Sequence, residues 1–93
     1  MPAVPSNAIA TGQATMTGAA VLIANARSDR KRITLIMAGT PAPTGIGGTT
    51  AVTTANGAVL AGVAGAQLVL ETAAAIYGNG AAAAVISYIE EFA

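Results

Sequence analysis

The chain has no cysteine, no histidine and no tryptophan. Without cysteine no disulfide can staple a small fold, and without cysteine or histidine the usual zinc ligands are missing. Charge is scarce too: four bases and four acids make 9% of the 93 residues, and they cancel to a net charge of zero. An ordinary soluble chain carries about 25% charged residues. Aromatic side chains number three, Tyr77, Tyr88 and Phe92. A folded monomer of this mass exposes roughly 4,900 Å², more than eight charged side chains can cover. Neutral, lightly charged surfaces associate. Packing against partners is therefore the expected source of extra stability.

Long apolar runs are missing as well. The hydrophobic content of 54% is largely alanine, 24 residues of it. The longest charge-free stretch, 33–70, is broken by Pro41, Pro43, the glycines of TGIGG and the Thr-rich TTAVTT. Nothing approaches the about 20 consecutive apolar residues of a membrane-crossing helix, so no membrane partner is expected. AAVLIANA (19–26) ends like a signal-peptide cleavage site. It is short and no Lys or Arg precedes it, so a secretory leader is not expected either.

Catalysis needs groups that move protons or stabilise charge. The acids are Asp29, Glu71, Glu90 and Glu91, and Lys31 is the sole amine side chain. Only Glu90 and Glu91 are adjacent, and neighbours on a strand point to opposite faces. Eleven threonines and three serines have no evident base beside them. TPAPTGIGG (40–48) lacks the Gly-Lys-Ser/Thr ending of a phosphate loop. The expectation is a non-enzyme with no catalytic, cofactor or metal site. One cluster stands out: Arg27, Arg30, Lys31 and Arg32 hold every base of the chain within six residues, with Asp29 among them. These four are the candidate partner-contacting residues, at a protein–protein corner or a solvated hairpin end. Nucleic-acid binders spread phosphate contacts over a basic surface with stacking aromatics, so nucleic acid is not expected.

Residues 1–16 carry no charge and two prolines, and read as an extended N-terminal arm or a loose end. Residues 17–93 read as one β-domain of short runs punctuated by turn residues. The runs are GAAVLIA (18–24), KRITLIMA (31–38), TTAVTTA (49–55), AVLAGVAGA (58–66), QLVLE (67–71), AAAIY (73–77) and AAAAVISYIEEF (81–92). In the second, Ile33, Leu35 and Met37 share a face, with Lys31 at its entrance. GTPAPTGIGG (39–48) reads as irregular. Asn56-Gly57 and Gly78-Asn79-Gly80 read as hairpin turns. A helix over 81–92 is the alternative that alanine propensity allows. Against it stand the β-branched cluster and two carboxylates in what would be the last helical turn, where they oppose the macrodipole. Six to eight short strands predict an all-β fold, a small single-domain β-sandwich or β-barrel, jelly-roll-like.

Several of these segments also carry a resemblance. Asn25, Arg30 to Leu35, Thr54-Ala55-Asn56-Gly57-Ala58-Val59-Leu60 and Ala75-Ile76-Tyr77 occur in an order that resembles small β-domains of tailed-bacteriophage virions, notably capsid decoration (cement) and head-fibre proteins. The match spans about three quarters of the chain, and departs from the pattern at Met37-Ala38, where an Asn would stand. The resemblance implies a structural virion protein made in the host cytoplasm. It would sit on the outer capsid surface as a homo-oligomer, a trimer by preference. Its partner would be the major capsid protein, whose neighbouring subunits it would tie together, the N-terminal arm reaching to a neighbour. The alternative is a receptor- or glycan-binding module of a head fibre or tail.

Overall fold

The computed structural model describes residues 8–92, and every charged side chain of the sequence lies within them. Eight strands follow in chain order: β1 (Ala8–Thr15), β2 (Val21–Ala24), β3 (Arg30–Met37), β4 (Thr44–Gly47), β5 (Ala58–Leu60), β6 (Gln67–Leu70), β7 (Ile76–Gly80) and β8 (Val85–Phe92). They form two four-stranded antiparallel sheets, ordered β1-β8-β3-β6 and β2-β7-β4-β5. Successive strands therefore alternate between the sheets except at one hairpin, β4–β5. This is the two-Greek-key, double-sheet arrangement of a jelly roll.

The core follows from period-two patterning. Ile33, Leu35 and Met37 of β3 and Ile86 of β8 point inward, where Met16, Ile23, Ile46, Leu60 and Ile76 meet them from the connections and the opposite sheet. These are medium-sized aliphatic side chains, and glycine in the adjoining strand makes room for one of them. A Cβ on Gly78 of β7 would lie 2.7 Å from Ile23 Cδ1. That packing explains why Gly78-Asn79-Gly80 is strand rather than turn. The chain turns instead at Ala81–Ala84, with Ala83 at a φ of 76°, and β7 and β8 belong to different sheets. Residues 85–92 are strand throughout.

Residues 1–7 of the expected arm lie outside the described residues. The rest of it is not an arm: Ala8–Thr15 pairs with the chain's own last strand, in unbroken register from Ala8↔Phe92 to Thr15↔Val85. Its inward residues, Ala10, Gly12 and Ala14, are too small to announce a strand. The space they leave is filled from across the pair. The ring of Tyr88, opposite Gly12, occupies the position where a Cβ on that glycine would stand.

The region 39–57 inverts its expectation. Thr44–Gly47 is strand, and the β-prone TTAVTTA is a loop that folds back over the outside of β4. A Cβ on Gly45 would lie 2.3 Å from the Thr53 carbonyl oxygen, and one on Gly47 2.8 Å from Val52 Cγ2. Val52 is buried as a result. The Asn79 side-chain amide donates to the Val52 carbonyl at 3.0 Å and ties the loop to β7. Asn56-Gly57 makes no two-residue hairpin. The Asn56 carboxamide braces the loop, accepting from Thr53 N–H at 2.8 Å and donating to Ala51 O at 3.1 Å.

Candidate functional site

The sequence clusters its bases at the start of β3, and antiparallel pairing brings the acids to the same place. Glu90 and Glu91 stand at the end of β8 beside Arg30 and Arg32. Glu71 follows the last residue of β6, which pairs with Ile33, and its charge acts on Arg32. With Arg27 and Asp29 in the β2–β3 connection, all eight charged side chains gather at one end of the sandwich.

Within this charged pole the four candidate residues part company. In a regular strand Arg30 and Arg32 would share a face. A register shift between them, of the kind a β-bulge makes, breaks the alternation. Arg30 turns inward opposite Phe92, Arg32 faces outward opposite Glu91, and Lys31 is left exposed rather than on the core face. The Arg30 side chain is 0% exposed, so it is no partner-contacting residue. Its guanidinium donates to Glu90 Oε2 at 2.8 Å, to Asn25 O at 3.0 Å, to Thr72 O at 2.8 Å and to the Ala74 carbonyl. Asn25 follows β2, and residues 72–74 link β6 to β7, so this one side chain clamps the two sheets together where the core ends.

Arg32 makes a two-pronged pair with Glu91, 2.6 Å and 2.9 Å. Hydrogen bonding and attraction from Glu91, with a further contribution from Glu71, raise its pKa above the ordinary arginine value. Arg27 lies 4.3 Å over the ring of Phe92 and 4.0 Å from Glu90, its side chain about half exposed. The pole is thus neutral overall, with Arg27 and Arg30 paired to Glu90 and Arg32 to Glu91, and with Lys31 and the outer part of Arg27 facing solvent. Glu90 and Glu91 do point to opposite faces, one to each of the paired arginines. Their part as arginine partners was not evident in the sequence, because nothing there says which strand lies beside β3.

Away from this pole the surface is uncharged. The outward face of the β1-β8-β3-β6 sheet runs in rows set by the register. One row is Thr11, Ile89, Thr34 and Val69, and the next is Gln13, Ser87, Ile36 and Gln67. Ile9 and Val69 are 67% and 52% exposed. Between β1 and β8 a shallow groove of about 430 Å³ is lined by Thr11, Gln13, Ile36, Ser87 and Ile89. Tyr77 and Tyr88 are half-buried and Phe92 is buried, so no aromatic stands out for a sugar ring to stack on. Among the described residues no three acidic, histidine or cysteine side chains gather to hold a metal.

No family model matches the chain, and no curated protein matches it. Among solved structures, a chain from Bacillus endospore appendages, described as a novel family of disulfide-linked pili, superposes with a TM-score of 0.56. The identity is 15%, over 91% of this chain and 84% of that one. At that identity the likeness is one of fold.

Proposed function

We propose that the chain is a structural subunit that works by packing against copies of itself in a larger particle, with no catalytic role. The placement of charge carries the reading. All eight charged side chains sit at one end, where most are paired, and the faces and edges beyond it are uncharged, chiefly alanine, threonine, glycine and aliphatic surface with Gln13, Gln67 and Ser87 among it. A free monomer with such flanks is prone to associate. Buried against neighbours, the same flanks supply the apolar contact that a core of medium-sized side chains provides only modestly.

Two particles fit this description. The sequence motifs support a cement protein on the outer surface of a phage capsid, bound to the major capsid protein as a homo-oligomer. The fold likeness to a chain from pili supports a filament. This sequence has no cysteine, so contacts within a filament would not be disulfides. Light scattering and negative-stain microscopy of the purified protein over a wide concentration range test the reading. The expected result is a defined oligomer or a fibre. Added to empty capsids stripped of their decoration protein, it is expected to bind and raise their melting temperature if the cement form holds, and to leave them bare if the filament form holds. A strict monomer at every concentration that also ignores capsids overturns the proposal.

A further inference from the structure

The four sheet edges of the sandwich are unequal. β2 has four residues and a register shift between Leu22 and Ala24, β5 has three residues and β6 has four. β1 has eight, pairs with β8 without a bulge, and contains neither charge nor proline. Among the described residues it has a strand neighbour on one side only. Soluble proteins protect long edges with lysine, proline, bulges or covering loops, because a flat edge offers a row of unpaired N–H and C=O groups to another chain. β1 carries none of the protections that its own sequence could supply.

We propose that β1 is the assembly edge, and that its occupant is β1 of a second copy, running antiparallel. This deepens the self-assembly reading and rests on it. Three observations select the occupant. First, an eight-residue edge is satisfied along its whole length only by another of that length, and the other edges of this molecule have three or four. Second, β1 is uncharged, so two copies meet without repulsion, and the antiparallel sense sends their charged poles in opposite directions. Third, opposed residues of an antiparallel pair face the same way. The outward set Ile9, Thr11, Gln13 and Thr15 must therefore oppose itself. The centred registers put Thr11 against Thr11 or Gln13 of the other copy. The product is an eight-stranded sheet running β6-β3-β8-β1-β1-β8-β3-β6, with the threonine and isoleucine rows continuing across the junction.

Hydrogen exchange of the full chain, followed by mass spectrometry over a range of concentrations, tests this. Amides of 8–15 are expected to gain protection as the protein assembles, while those of 67–70 do not. Thr11→Lys, an exposed position, is expected to leave the monomer's melting temperature nearly unchanged and to raise the half-assembly concentration roughly tenfold or more, by setting two like charges across the junction, directly opposed or on the diagonal according to the register. Val69→Lys, on the other edge of the same sheet, is expected to assemble as the unmodified chain does. Assembly with unchanged protection at 8–15, or broken by Val69→Lys and not by Thr11→Lys, overturns this edge and leaves the self-assembly reading standing. A monomer at every concentration overturns this edge, and one that also ignores capsids overturns both.

Discussion

Arg30 is buried with its charge, and its hydrogen bonds employ four of the five N–H groups that a guanidinium offers. Removing one member of a buried ion pair strands the other, at about 3–5 kcal/mol. Glu90→Ala is therefore expected to lower stability by about that much in urea denaturation, and Glu90→Gln by less, since the amide oxygen still accepts from Arg30. Arg30→Met is expected to be worse than either, because it also leaves the carbonyls of Asn25, Thr72 and Ala74 without their donor. Equal losses from Arg30→Met and Glu90→Gln would mean that the clamp between the sheets is not what Arg30 supplies. A second prediction concerns Ala83, whose φ of 76° is left-handed. That conformation costs an L-residue roughly 1–2 kcal/mol. Ala83→Gly trades this cost against a more flexible unfolded chain, and is expected to gain up to about 1 kcal/mol, read as a raised melting temperature. The basic cluster was legible as a cluster, and its fate was not. A bulge depends on what the partner strand offers, and Glu90 lies sixty residues further along the chain.

Strands 30–37, 67–70 and 85–92 were legible, the first two from the alternating inward residues Ile33, Leu35, Met37 and Leu68, Leu70, and the last from its β-branched cluster. β1, β4 and the second half of β7 hid for a shared reason: glycine and alanine mark places where something else comes close. In β1 the close neighbour is the Tyr88 ring, in β4 the loop backbone at Thr53, and in β7 the side chain of Ile23. Propensity describes what a residue does alone, and these residues are chosen for what they leave room for. The loop over β4 is testable at this scale. Gly45→Ala sets a methyl against the Thr53 carbonyl, and is expected to cost about 1–3 kcal/mol as an overpacked site does. Proteolysis within 49–56 should quicken, with the rest of the domain intact. Asn79→Ala removes the bond to Val52 O, and is expected to cost about 0.5–1.5 kcal/mol and to loosen the same segment alone.

For the molecule as a whole, the separation of a paired, neutral pole from uncharged flanks sets the response to salt. Association that buries uncharged surface is insensitive to screening, whereas association through exposed charges weakens as the Debye length falls from about 10 Å at 0.1 M to about 3 Å at 1 M. The oligomer is expected to hold together across that range, and to tighten in sulfate, which strengthens apolar burial. Sedimentation at several salt concentrations reads this directly. Dissociation at high salt would return the exposed basic residues Arg27 and Lys31 to the centre of the interface. The all-β sandwich was legible from strand count and turn chemistry, while the pole was not, because it exists only once the strands are ordered. The pairing of β1 with β8 has a consequence during synthesis. The first strand made waits for the last: at about 5–20 residues per second, the ribosome takes seconds to deliver its partner. β8 also lies between β1 and β3, so a nascent chain stopped short of it cannot complete the β1-β8-β3-β6 sheet. That sheet closes late, and until then β1 lacks the partner strand that its own chain supplies.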